Sequence, residues 1–125
     1  MQSLAVAVGA STGALLRWQA GLRLGAFHGW PLGTLAVNLV GGLLIGLALA
    51  WFRLHPEQTV LRCLLVVGFL GGLTTFSAFS GESLGMLMDG RYGAALGHSL
   101  AHVVGALACA GAGHALGRQL FGLAA

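Results

Sequence analysis

The sequence predicts an all-α membrane protein with four transmembrane helices. Of its 125 residues, 57% are hydrophobic and only 7% are charged, whereas a soluble domain carries about a quarter charged residues. The apolar residues form four segments, each near the roughly 20 residues that a helix needs to cross the hydrocarbon core. Because the connections are short, the whole chain, residues 1–125, is expected to form a single transmembrane domain.

The first two spans are expected at about residues 4–22 and 32–52. Arg17 lies near the end of the first, where a cationic side chain typically extends toward the lipid headgroups; attracting an anion is the other role open to it. Asn38 lies in the second, about 9 Å along the helix from Leu32 at 1.5 Å per residue. A buried amide without partners costs roughly 1–3 kcal/mol. Asn38 therefore either clamps a neighbouring helix or offers N–H donors to an anion.

The third span, about residues 60–88, is expected to be broken in the middle of the membrane. Its stretch Gly68–Ser80 contains paired glycines and paired threonines, which weaken an α-helix. A break at membrane depth leaves backbone groups that lipid cannot pair, so it survives only inside protein or along an aqueous path. The sequence therefore predicts an ion site at this break.

Hydroxyls and phenyl rings follow the break in close order. Phe76 and Phe79 are three residues apart, so they share a face if the helix resumes after Thr75. A phenyl ring has a positive edge that can face an anion, and the hydroxyls of Ser77 and Ser80 supply directional donors. Such groups replace part of an anion's hydration shell without a charge that would trap it, while carbonyls freed by the break suit a cation such as Na⁺. Plain packing is the alternative for the rings.

The fourth span is expected at about residues 92–116, after a tight turn at Asp89–Arg91. His98 and His102 are four residues apart and share one helix face. Two histidines do not complete a zinc site, and neither an HExxH motif nor a nearby acid is expected to supply the further ligands, so an inward-facing polar surface is expected. Glu82 is the only acid well inside a span, which makes it a functional candidate or a residue at the mouth of a vestibule.

Many of the 22 glycines are spaced four residues apart. Small residues at this spacing let membrane helices approach closely. The spacing therefore predicts tight helix packing at Gly9/Gly13, Gly42/Gly46, Gly68/Gly72, Gly81/Gly85, Gly93/Gly97 and Gly113/Gly117.

The six basic residues, all arginines, are scattered singly and form no patch that would bind nucleic acid. With four spans, three arginines fall on each side of the membrane, so the positive-inside rule favours neither orientation. We expect dual topology: the chain inserts both ways and pairs antiparallel about a two-fold axis in the membrane plane. A single orientation set by subtler features is the alternative. The two sets are Arg53, Arg62, Arg118 and Arg17, Arg23, Arg91.

Three blocks resemble the Fluc (CrcB) family of fluoride channels. Gly13–Trp18 is similar to the family's G-A-x-x-R-Y/W stretch and Gly33–Gly41 to its G-T-x-x-V-N-x-x-G stretch. Gly68–Ser80 is similar to the very specific signature G-F-x-G-G-x-T-T-F-S-T-F-S, with Ala78 in place of the commoner Thr.

The resemblance implies an antiparallel homodimer in the bacterial inner membrane, with two fluoride pores and a central structural Na⁺ that is not transported. Backbone carbonyls of Gly71 and Thr74 from each subunit would hold the Na⁺. His102 falls about where relatives place a pore-facing hydroxyl or histidine. The implied pore residues are Asn38, Thr75, Phe76, Ser77, Phe79, Ser80 and His102, with Arg17 and Glu82 in the vestibule.

Other functions fit the sequence less well. A small multidrug exporter needs a carboxylate deep in its first span, and residues 4–22 contain no Asp or Glu. A non-transporting helper subunit would explain the glycines but not the Thr/Ser/Phe cluster. No nucleophile–base pair or metal set suggests an enzyme. The sequence therefore favours a passive channel that exports F⁻ from the cytoplasm.

Overall fold

Four helical segments, the third of them broken, make up the protein in the computed structural model. It describes residues 1–122, so the last three residues of the predicted domain lie outside the described part. The elements in chain order are α1 (Gln2–Leu24), strands β1 (Ala26–Phe27) and β2 (Trp30–Pro31), α2 (Leu32–Leu54), α3 (Thr59–Arg62), a π-helix (Cys63–Leu70), α4 (Gly71–Leu73), α5 (Phe76–Met88) and α6 (Tyr92–Leu120).

All four predicted spans coincide with helical segments, which extend a few residues beyond the expected ends. Three segments within residues 1–122 are long and apolar enough to cross a membrane, namely Leu32–Leu54, Thr59–Met88 and Tyr92–Leu120. α1 is as long as α2, with 23 residues, but it is less apolar and is not among these three.

The first connection, between α1 and α2, contains a short β-hairpin. β1 and β2 pair antiparallel, and the turn between them places His28 and Gly29 at positive φ, 50° and 82°. The guanidinium of Arg91 donates to the His28 carbonyl at 3.0 Å. This bond joins the hairpin to the predicted tight turn before α6, where Gly90 has φ 72°, so both connections lie at one end of the molecule.

Glycines bring α1 against the third segment at backbone distance. A Cβ at Gly9 would overlap the Leu64 carbonyl oxygen, and a Cβ at Gly72 would overlap that of Ala10. No hydrophobic force drives helices together within lipid, so such close van der Waals packing is what holds them.

The same packing joins α2 to α6. Cβ atoms at Gly42 and Gly46 would meet the Ala106 and Ala110 carbonyl oxygens, and one at Gly113 would meet that of Leu43. Close packing is thus confirmed at four of the predicted pairs, Gly9/Gly13, Gly42/Gly46, Gly68/Gly72 and Gly113/Gly117. It is not found at Gly81, Gly85 and Gly93, where a Cβ would have no heavy atom of residues 1–122 within 4 Å apart from the adjoining backbone of its own helix.

The third segment breaks at the threonines and not at the glycines. Gly71 keeps helical dihedral angles, φ −62° and ψ −35°. Thr74 (φ −84°, ψ 159°) and Thr75 (φ −152°, ψ 127°) are extended. α5 then begins at Phe76, with the Thr75 hydroxyl accepting from the Ala78 amide at 3.2 Å as its N-cap. The eight-residue π-helix before the break is unusually long, since such helices are mostly single-turn bulges, often at functional sites.

Candidate ion-binding site at the break in the third segment

Asn38 of α2 pairs with both backbone groups of Thr75. Its Oδ1 accepts from the Thr75 amide at 2.8 Å, and its Nδ2 donates to the Thr75 carbonyl at 2.9 Å. These are backbone groups that the broken helix leaves without their usual partners, and burying them unpaired would cost roughly 1–3 kcal/mol each. Of the two roles open from the sequence, Asn38 takes that of a clamp.

The same amide determines which nitrogen of His102 carries a proton. The second Nδ2 hydrogen of Asn38 is directed at His102 Nδ1, 3.0 Å away. An amide NH₂ group can only donate, so Nδ1 accepts and the neutral ring is protonated at Nε2. His102 Nε2 is buried and has no hydrogen-bond partner among the described residues.

The two phenylalanines share a face, as predicted, but differ in their surroundings. Phe79 stacks on His102, with ring centroids 4.8 Å apart and an interplanar angle of 22°. Phe76 meets Phe79 edge-on at 5.2 Å and 75°. Phe79 is 8% exposed and Phe76 is 76% exposed. One ring therefore belongs to the core of the site, while the other projects from it.

These groups line a largely apolar groove of about 470 Å³ between α2, the broken segment and α6. Few but convergent polar groups in an apolar cavity are typical of small-ligand sites. Of the predicted site residues, the groove brings together Asn38, Gly71, Thr74, Thr75, Phe76, Phe79 and His102.

The other four predicted site residues lie outside the groove. Ser80 donates its hydroxyl proton to the Phe76 carbonyl at 2.8 Å, and Ser77 is exposed, with its Oγ 3.3 Å from Thr75 Oγ1. Arg17 Nε donates to the Gly72 carbonyl at 3.1 Å, so this side chain fastens α1 to α4. Glu82 lies farther along α5, where it accepts from the Thr34 hydroxyl at 2.5 Å.

In a continuous helix the Gly71 and Thr74 carbonyls would accept from the amides of Thr75 and Ala78. At the break both amides donate elsewhere. The Thr75 amide donates to Asn38 instead of to the Gly71 carbonyl, and the Ala78 amide donates to the Thr75 hydroxyl instead of to the Thr74 carbonyl. Both carbonyls are thereby released from the i+4 pattern, at residues that line the groove. This fits the oxygen donor set that a hard cation prefers.

Residues 4–114 match the family model described as "CrcB-like protein, Camphor Resistance (CrcB)". This chain belongs to the CrcB family. Similar proteins named "Fluoride-specific ion channel FluC" occur in Bordetella petrii, at 54% identity over 118 residues (94% of this chain, 91% of the relative), and in Aromatoleum aromaticum, at 51% over 114 residues (90% and 87%). A third, from Variovorax paradoxus, is 54% identical over 105 residues (83% and 84%).

Membership in the CrcB family and the apolar helices together identify a multi-pass membrane protein. The CrcB relatives are named as ion channels and not as enzymes. The break, the clamp and the groove described above all fall within the part of the chain that matches the family.

The sequence does not predict one cluster next to the groove, in which Glu82 lies beside His98 and His102. Glu82 Oε2 lies 3.3 Å from His98 Nε2, so the expectation that no acid lies near the two histidines is wrong. The α5–α6 turn explains the proximity: Glu82 and His98 are equally far from Gly90, on opposite sides of it, and an antiparallel helix pair brings such positions together. Counting outward from the predicted turn would have found this contact.

Proposed function

We propose that this CrcB protein is a fluoride-specific channel that passively exports F⁻ from the cytoplasm through the bacterial inner membrane. The observation that carries the proposal is the Asn38–Thr75 clamp, which holds open a helix break in an apolar groove beside Phe79 and His102. The names of the relatives support fluoride as the ion.

Among the described residues, the side chains that line the groove offer an anion weak, directional contacts, and none of them is an arginine or a lysine. The T-shaped pair of Phe76 and Phe79 presents ring edges, which carry partial positive charge, and Thr75 lines the same groove. Both Nδ2 hydrogens of Asn38 are already engaged, so Asn38 acts by positioning Thr75 and His102. Ion passage needs binding weak enough to be reversed, which such a lining provides.

We further propose that two copies pair antiparallel and that each copy completes the site of the other. In a single chain Phe76 is 76% exposed and the groove it lines is open, so a second copy would supply the missing wall. The balanced arginines support insertion in both orientations. Cysteine labelling near His28 and near His55 should find each loop on both sides of the membrane; one orientation for all molecules would refute dual topology.

A central Na⁺ would be held by the Gly71 and Thr74 carbonyls of both copies, where it would supply a fixed positive charge that joins the subunits. Gly71 provides a test, because beyond its immediate helix backbone a Cβ there would approach, among residues 1–122, only the Val66 carbonyl oxygen, at 3.9 Å. Gly71→Val should therefore spare the folded subunit but impair the dimer and its Na⁺ dependence. If Na⁺ removal leaves dimer stability and flux unchanged, the cation proposal fails.

The decisive experiment measures anion efflux from liposomes that contain the purified protein. F⁻ efflux without Cl⁻ efflux, and without a proton gradient, is the expected result. Efflux of a cationic drug driven by protons would favour a multidrug exporter. No efflux of any ion from well-folded protein would favour a non-transporting subunit.

A further inference from the structure

We propose that Glu82, His98 and His102 form a binding site for a divalent transition-metal ion of the zinc class. One ligand atom from each residue lies within 4.8 Å of the other two. Two imidazole nitrogens and one carboxylate oxygen are a donor set that zinc uses where it keeps a further position open.

The polar atoms of this cluster lack partners. Glu82 Oε2, His98 Nε2 and His102 Nε2 are all buried, and none of them has a hydrogen-bond partner among the described residues. Buried polar atoms are nearly always paired. Three unpaired atoms around one point therefore indicate that something binds between them.

The neighbours of Glu82 and His98 leave those two residues ready to coordinate. Thr34 donates to Glu82 Oε1, which orients the carboxylate and leaves Oε2 free. The Ser83 hydroxyl lies 2.9 Å from His98 Nδ1, where its oxygen can accept the Nδ1 proton and leave the Nε2 lone pair directed at the cluster. Outer hydrogen bonds of this kind hold the ligands of known metal sites.

Coordinating zinc ligands lie about 2.0–2.2 Å from the metal, so ligands in a tetrahedral site are roughly 3.4 Å apart. Glu82 Oε2 and His98 Nε2 are 3.3 Å apart, which is close to this ligand–ligand distance. His102 is the third ligand. Coordination through its Nε2 moves the ring proton to Nδ1, so metal binding gives up the hydrogen bond that Asn38 Nδ2 donates to Nδ1. Glu82 and His98 are therefore the principal ligands, and the half-buried side of Glu82 is the entry route.

A bound metal ion would also affect the groove, because His102 stacks on Phe79. This consequence rests on the proposed channel function. A dication beside the path would hold a passing anion too tightly for it to leave. The expected effect is inhibition of F⁻ efflux by Zn²⁺.

Co²⁺ is the probe for binding, since its visible absorption intensifies in a tetrahedral site. The purified protein should bind one Co²⁺ per chain, displaceable by Zn²⁺. Glu82→Gln keeps the shape of the side chain and should weaken binding by more than the roughly 10–100-fold that loss of an outer partner costs; His98→Gln should do the same. Ser83→Ala removes only an outer partner and should weaken binding about 10-fold.

Two control variants test whether Co²⁺ binds at the Glu82–His98–His102 cluster and not at another histidine or acid. His114 lies on the same helix, about 18 Å from His102 at 1.5 Å per residue, so His114→Gln should bind Co²⁺ normally. Glu57→Gln removes the exposed pair with His55, 3.7 Å apart, and should also bind normally.

Absence of the Co²⁺ absorption in folded wild-type protein would overturn the proposal, as would equal binding by Glu82→Gln. A water molecule bridging the cluster would give the first of these results. Because His98 is fully buried and its replacement risks misfolding, Glu82→Gln decides the matter. Absorption does not depend on transport, so failure of the channel proposal would appear separately, as absent F⁻ efflux in metal-free protein.

Discussion

The two halves of the Gly68–Ser80 stretch behave in opposite ways. Glycine is among the poorest helix formers, roughly 1 kcal/mol worse than alanine, yet Gly68, Gly71 and Gly72 remain helical. The helix breaks at Thr74 and Thr75 instead. The difference lies in what surrounds each half. Gly68 and Gly72 allow α1 to pack against the helix backbone, whereas Thr75 meets the amide of Asn38, which pairs both of its backbone groups.

The largest effect is expected where a side chain is added to the packed half. In Gly72→Ala, the new Cβ would overlap the backbone of Ala10, and backbone cannot move aside as a flexible side chain can. Overpacking typically costs about 1–3 kcal/mol, and contact with backbone should place this variant at or above the upper end. The yield and thermal unfolding of detergent-purified protein would measure it.

The neighbouring Gly71→Ala is the matched control for subunit folding, since its Cβ meets no atom of residues 1–122 closer than 3.9 Å. Equal folding of both variants would mean that contact with α1 does not keep the glycine half helical. At Gly85 a Cβ would have no heavy atom of residues 1–122 within 4 Å beyond its immediate helix backbone, so Gly85→Ala should gain up to about 1 kcal/mol of stability from helix propensity.

The next largest effect is expected from removing the clamp. Asn38→Ala leaves the Thr75 amide and carbonyl without their partner, at roughly 1–3 kcal/mol for each group, and frees His102 Nδ1. Thermal unfolding and F⁻ efflux should both fall. Asn38→Asp keeps an acceptor for the Thr75 amide but places a carboxylate oxygen against the Thr75 carbonyl, and its charge should repel F⁻. Wild-type stability in Asn38→Ala would show that the break persists without the clamp.

Much of this architecture could be predicted because it follows from local pattern. Apolar length predicts the four segments, glycine spacing predicts four of the close helix contacts, and the spacing of Phe76 and Phe79 predicts their common face. The turn at Gly90 likewise follows from composition. These features depend on residues near one another in the chain.

The remainder depends on contacts between distant residues. The sequence left Asn38 with two possible roles, and only its distances to Thr75, 37 residues away, decide between them. It assigned Ser77 and Ser80 to the same path as Phe79, whereas neither of these two serines lines the groove of the single chain. The π-helix was not anticipated, because its wider hydrogen-bond spacing has no distinct composition.

Substitutions of Phe76 and Phe79 test whether the rings contact the ion or only pack, and they should cost less stability than the glycine and clamp variants. Phe→Ile at position 76 or 79 keeps apolar bulk but removes the positive ring edge, and such swaps usually cost under about 1.5 kcal/mol. Phe79→Ile should be the more destabilising, because it also loses the stack on His102, worth about 0.5–1.5 kcal/mol. F⁻ efflux should fall strongly in both. Normal efflux in both, with the assembly intact, would assign the rings to packing alone.

The smallest effect is expected at Thr74, which tests whether the broken half acts through backbone or side chain. Thr74→Ser keeps the carbonyl and the hydroxyl that donates to the Leu70 carbonyl at 2.9 Å, and it loses only the methyl group that fills the space beside Gly41. Burial of one such carbon is worth about 0.8 kcal/mol, so unfolding should shift only slightly while F⁻ efflux and Na⁺ dependence persist. A large loss of efflux in Thr74→Ser, at nearly unchanged stability, would mean that the methyl group shapes the ion path directly. The role of Thr74 would then not be limited to its backbone carbonyl.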